Sequence, residues 1–349
     1  MSFHGLAGIG YIVVAGVAMG CSILPMKYAT KWKWENIWMG YIGFAQVILP
    51  CLVILITIPQ PWKTYREATL SAILSAVLLG LGWGIGNTLS GIGYALLGIG
   101  LGTSIVLGLT AAIGSLLPLI ILFPGRLESR AACLVYVGIV VTILGLILSA
   151  HAGRLRQEHR PKGETTSSAD IKAFGKGDIR LGMVVCIASG ILSSMLNLAL
   201  VFGDNIRLAA LRRGATQMGA VNLLWLPVEI AGFLPTLFYC MLLFRKNKSW
   251  AYFRCPGALS HWLIAILMGA LFLTGLSVYG LGTAHLGEMG AILGFPVFMS
   301  TVVITSNTAG LITGEWRDSP RSAYLYGLSG LLLLLSAIVI IGWGKSSLL

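Results

Sequence analysis

The 349-residue chain carries 24 Lys and Arg against 12 Asp and Glu, so only 10% of it is charged where a soluble globular domain carries roughly 25%. With 56% hydrophobic residues and a mean hydropathy of +0.87, it holds more apolar surface than a soluble exterior can hide, which excludes an ordinary cytosolic enzyme. The net charge of +12 invites a nucleic-acid reading, but the cations fall in short clusters without the aromatic interleaving that follows a phosphate backbone, so no nucleic-acid partner is expected.

A bilayer core of roughly 30 Å needs about 20 apolar residues per helix, so long uncharged intervals count as spans. Residues 1–26 and 36–62 give the first two. The uncharged interval 68–125 is too long for one helix and has a natural break at the glycines Gly98, Gly100 and Gly102, so it gives spans three and four. Residues 131–153 and 181–203 follow as spans five and six, and 214–244, interrupted by Glu229, is the seventh. The interval 255–314, interrupted by Glu288 between Gly287 and Gly290, gives spans eight and nine, and 322–344 is the tenth. The segment 151–180 is rich in charge and contains a Thr-Thr-Ser-Ser stretch, which reads as a solvated linker between a first unit, 1–150, and a second, 181–349.

Ten spans put both termini on one side. Of the 24 cations, 16 fall in the loops that alternate with that side, so those loops are predicted cytoplasmic and the termini outside. The first cation is Lys27, after the first span, which argues against a cleaved signal peptide. Five of the six cysteines lie within predicted spans, and neither a disulfide framework, a zinc spacing nor a cofactor motif stands out; no metal, no cofactor and no enzyme activity are expected.

Sliding the chain by 189 positions pairs Gly80 with Gly269, Trp83 with Phe272, Gly86 with Gly275, Thr88 with Ser277, Gly93 with Gly282 and Gly138 with Gly327. A repeat unit with an odd number of spans inserts its second copy upside down. The expected fold is therefore an all-α membrane protein of two inverted five-helix repeats, the design of secondary transporters. Gly16-x-x-x-Gly20, Gly80-x-x-x-Gly84 and Gly82-x-x-x-Gly86 suit close approach of helix backbones.

Most tryptophans, such as Trp38, Trp62, Trp250, Trp262, Trp316 and Trp343, lie at span ends and read as interfacial anchors. Trp83 and Trp225 lie deep. Each has an amide within one turn on the same face, Asn87 and Asn222, and an aromatic face beside an amide suits a sugar ring with its C–H face and hydroxyls. Gln46, Asn197 and Asn307 are further candidates by the same logic. A carboxylate at mid-membrane costs at least about 2.5 kcal/mol, so such a group faces a bundle interior or cavity and suits proton carriage. Glu229, two residues after Pro227, is the first candidate, and Glu288, at the turn between spans eight and nine, is the second.

The run Pro25-Met26-Lys27, the basic Trp-rich stretch Lys31-Trp32-Lys33-Trp34-Glu35-Asn36-Ile37-Trp38, the run Trp83-Gly84-Ile85-Gly86-Asn87 and Glu315-Trp316 together resemble the L-rhamnose:proton symporter family of the drug/metabolite transporter superfamily. The resemblance covers nearly the whole chain. It implies ten helices in two inverted halves and uptake of L-rhamnose with protons across the bacterial inner membrane. Enterobacterial members carry an acid inside helix nine where this chain has Ala291, its nearest acid being Glu288, so the resemblance does not carry the coupling residue over. The expected activity is symport of L-rhamnose or a similar deoxy sugar with a proton, the alternative an uncoupled facilitator or exporter of another small metabolite.

Overall fold

The structure, a computed structural model, describes residues 3–97, 99–158, 179–314, 316–317 and 319–346. Among them, ten helices are long and apolar enough to cross a bilayer. They are α1 (Gly5–Tyr28), α2 (Trp34–Thr57), α3 (Leu70–Tyr94), α4 (Leu101–Leu122), α5 (Ala132–Arg156), α6 (Ile179–Arg212), α7 (Gln217–Asn247), α8 (Ala258–Leu286), α9 (Gly290–Ile312) and α10 (Arg321–Ile341). All regular structure among the described residues is helical. Leu55, Ile56, Leu78, Val184 and Phe238 stand exposed on the outer surface, as side chains meant for lipid must.

The boundaries differ from expectation where charges pair or glycines are tolerated. The helix of α3 runs to Leu97 and that of α4 begins at Ile99, so Gly100 and Gly102 lie inside a helix, while Gly98 lies outside the described residues. Span six continues past 203 to Arg212 in three short helical pieces that break at Ser194 and Gly203. Arg207 grips Asp204 with two bonds of 2.6 and 3.0 Å, so this charged stretch stays helical with its charges neutralised. The helix of α5 runs on to Glu158, which pairs with Arg154; of the expected linker, 159–178 lies outside the described residues.

Proline sets the irregular points. In α2, Pro50 has no N–H for the Gln46 carbonyl four residues back, and the helix widens into a π turn over Phe44–Ile48, with the Leu49 N–H bonded to the Phe44 carbonyl. Pro118 in α4 and Pro227 in α7 likewise free the carbonyls of Gly114 and Leu223.

Two sets of neighbours correspond. Helix α1 packs on α8 and α9, and α6 packs on α3 and α4; α2 packs on α8, and α7 on α3; α5 packs on α10. Each contact recurs when every helix is exchanged for the one five places along. The glycines follow the same exchange: Gly80 of α3 lies against Val228 of α7, and its counterpart Gly269 of α8 lies against Phe44 and Ala45 of α2. The helix Leu70–Leu97, displaced by 189, covers 259–286, and α8 spans Ala258–Leu286.

Backbones approach closely between α3 and α7. A methyl added at Gly80 would fall 2.5 Å from the Val228 carbonyl oxygen, and one at Gly84 would strike the backbone of Gly232, whereas Gly91, two turns on, has open space around it. Gly84→Ala should therefore lower the thermal melting point of the purified protein, because overpacking against backbone costs about 1–3 kcal/mol. Gly91→Ala should leave it unchanged or raise it, since alanine gains up to about 1 kcal/mol over glycine inside a helix. Equal effects at the two positions would refute the packing account.

Candidate functional site

The most deeply buried helices, α8 and α9, meet α2, α3, α6 and α7 in a central layer of aromatic and amide side chains. Trp83 of α3 lies over Gly232 of α7, where any side chain would collide with its ring, and stacks on Phe272 of α8 at 6.3 Å between centroids and 22° between planes. Trp83 and Phe272 are the residues that the 189-position displacement pairs, and they touch each other where α3 meets α8. Tyr41 of α2 closes edge-on against Phe272 at 6.0 Å.

Trp225 and Asn222 of α7 both reach α8. The Trp225 indole donates to the Leu276 carbonyl at 3.0 Å, and the Asn222 amide oxygen accepts from the Ser277 hydroxyl at 2.5 Å. The shared helix face expected from their spacing is present. Asn197 of α6 donates at 2.7 Å to the Gly114 carbonyl that Pro118 leaves free, donates at 3.1 Å to the Ala291 carbonyl of α9, and accepts from the Tyr279 hydroxyl at 2.6 Å. One amide thus ties α4, α6, α8 and α9 together, and Tyr279 is a participant that the sequence did not single out.

Gln46 and Glu229 differ from these satisfied amides. Gln46 sits in the π turn of α2, which packs on α7, and its side-chain oxygen is buried without a hydrogen-bond partner among the described residues. Glu229 is fully buried in α7, and neither carboxyl oxygen has a partner among them. The short helix Pro61–Glu67, which follows α2, carries Tyr65. Tyr65 donates at 2.7 Å to the Leu223 carbonyl that Pro227 leaves free. A proline in the middle of α7 announced that some donor was needed, but not that it would come from a residue 158 positions away.

Three expected residues stand elsewhere. Asn87 is exposed, one turn beyond the stretch where α7 covers α3, so the structure does not bring its amide beside the Trp83 ring. Glu288 is exposed in the turn between α8 and α9, away from Glu229. Asn307 spends its amide on the Val303 carbonyl of its own helix. The expected anchors divide as well. Trp62, Trp250 and Trp343 are exposed, but Trp316 is buried beneath Arg156, and Trp262 packs edge-on against Trp32 at 4.9 Å. A shallow crevice between α1, α8, α9 and α10 is lined only by Gly294 and aliphatic residues such as Ile12 and Leu293, which offer a hydroxylated ligand no hydrogen bond.

The chain is 24% identical over 347 residues to the L-rhamnose-proton symporter of Klebsiella pneumoniae subsp. pneumoniae, covering 97% of this chain and 98% of that protein. It is 23% identical, with the same coverage, to the L-rhamnose-proton symporters of Escherichia coli O1:K1 and Salmonella paratyphi B. These names belong to transporters. The family model of the L-rhamnose-proton symport protein matches residues 1–347, nearly the whole of the ten-helix bundle, and the chain belongs to that family.

Proposed function

We propose that the protein is a secondary transporter that moves L-rhamnose, or a similar deoxy sugar, together with a proton across the bacterial inner membrane. Family membership supports the activity, and the observation that carries the coupling is the buried carboxyl of Glu229, without a hydrogen-bond partner among the described residues although Asn197 and Asn222 nearby in the layer are hydrogen-bonded. In this reading Trp83, Trp225 and Asn222 hold the sugar, with Gln46 and Asn197 supplying further amide groups, and Glu229 takes the proton. The exposure of Asn87 and Glu288 puts them second to these.

The exchange of contacts between α1–α5 and α6–α10 supports two inverted five-helix halves, 1–150 and 181–349, as the drug/metabolite transporter resemblance implies. Two such halves have nearly equivalent inward and outward arrangements, so a central site opens to either side by rocking one half against the other. The excess of Lys and Arg in the loops after α1, α5, α7 and α9 supports a cytoplasmic position for those loops, with the termini outside.

The test is uptake by the purified protein in liposomes, with a panel of sugars and an imposed pH gradient. L-rhamnose uptake should rise when the outside is acidic and collapse with a protonophore. Uptake indifferent to the gradient would favour an uncoupled facilitator, and no uptake of any deoxy sugar would refute the substrate class.

A further inference from the structure

The basic Trp-rich stretch that follows α1 has no part in the central layer, yet it is among the most tightly held segments of the surface. Glu35 is only 1% exposed, and one of its carboxyl oxygens accepts from the Asn247 amide at 3.0 Å and from the Ser249 hydroxyl at 2.6 Å. The neighbouring Asn36 donates to the Ser249 carbonyl at 3.0 Å. Beside them Trp32, 5% exposed, packs on Phe253 at 5.2 Å and on Trp262 at 4.9 Å. These contacts fasten the α1–α2 connection to the α7–α8 connection.

The exchange of halves turns the α1–α2 connection into the α6–α7 connection, and the α7–α8 connection into the α2–α3 connection. Those two are fastened to each other as well. Arg213 pairs with Glu67, and the Asn205 side chain accepts from the Thr69 N–H at 2.9 Å. The ten-span alternation puts the two fastenings on opposite faces. They are unequal: apart from Tyr65, whose hydroxyl bonds the Leu223 carbonyl inside α7 and not the α6–α7 connection, this fastening rests on that bond and on Glu67 and Arg213, 47% and 31% exposed. Exposed ion pairs contribute little, whereas on the other face a buried carboxylate with two donors and an aromatic cover forms charge-assisted bonds shielded from water.

We propose that these are the two gates of the transporter, that Glu35 is the positioning residue that keeps the gate of the α1–α2 face shut, and that the opposite gate opens first. This rests on the alternating-access reading above. The resting protein is then closed on the cytoplasmic side, and sugar and proton arriving from outside meet the weaker gate.

Hydrogen–deuterium exchange on the purified full-length protein in lipid nanodiscs tests it without reference to the substrate. In the unaltered protein, the amides of 60–69 should exchange faster than those of 245–262. Glu35→Ala should speed exchange at 245–262 about tenfold, as expected when a charge-assisted hydrogen bond that biases a two-state equilibrium is lost, and at the same time slow exchange at 60–69. Ser249→Ala, which removes one donor, should produce the same opposed changes to a smaller extent and serves if Glu35→Ala fails to fold. Faster exchange at both faces would mean that Glu35 only stabilises the fold, and no change at 245–262 would mean that it closes nothing; either overturns the proposal. A protein that shows the opposed shifts but transports no sugar leaves the gates standing and removes the function proposed above.

Discussion

Glu229→Gln abolishes accumulation of sugar against its gradient while leaving exchange of sugar across the membrane intact. The glutamine keeps the shape of a side chain that is fully buried in α7 but cannot bind and release a proton. In the unaltered protein, symport of one proton links the sugar gradient to the pH gradient, and one pH unit is worth about 1.4 kcal/mol, so accumulation reaches roughly tenfold per unit of inward acidity. In the variant the ratio falls to one, because the sugar merely equilibrates. The large effect follows from the site: a carboxylate in the membrane costs at least about 2.5 kcal/mol, and neither oxygen of Glu229 has a donor among the described residues to offset that cost. Only a proton neutralises the group there. Accumulation as strong as in the unaltered protein would remove Glu229 from the coupling step, and loss in Glu288→Gln instead would assign it to the exposed acid of the α8–α9 turn.

That Glu229 stands out in both sequence and structure reflects how membrane chains are written. A charge inside an apolar run is visible without coordinates, and so are the ten spans, because lipid tolerates few charges anywhere along them. The glycine pairs at a displacement of 189 were legible for a similar reason: where two backbones meet, as at Gly80 and Val228, only glycine fits, and Gly269, 189 positions on, lies against the backbone of Phe44 and Ala45 in the same way. The surroundings of the site were not legible. Periodicity put Asn87 on the face of Trp83, but it says nothing of how far along α3 its partner α7 continues to cover that face. In the sequence, Glu35 is only part of the basic Trp-rich run Lys31-Trp32-Lys33-Trp34-Glu35-Asn36-Ile37-Trp38. Its burial depends on Asn247 and Ser249, more than 200 positions away, and Tyr65 depends in the same way on the carbonyl that Pro227 exposes.

Trp83→Ala weakens binding of the sugar by roughly 10- to 100-fold, and Trp83→Phe by far less. The ring is 6% exposed, lies over Gly232 and stacks on Phe272, so it presents a rigid apolar face where α3, α7 and α8 meet. Aromatic packing contributes about 0.5–1.5 kcal/mol beyond the area buried, and truncation adds the lost burial itself, which together span one to two decades of affinity. Phenylalanine retains a face for the C–H side of the sugar, whereas alanine leaves a gap between α3, α7 and α8. Coupling should survive: at saturating sugar, Trp83→Ala still accumulates to the limit set by the pH gradient, because Glu229 is untouched. Calorimetric titration with L-rhamnose, run beside thermal melting, separates binding from packing. A lowered melting point with a dissociation constant within about twofold of the unaltered protein would make Trp83 a packing residue alone, and would leave Trp225 and Asn222 as the side of the layer where the sugar must be sought.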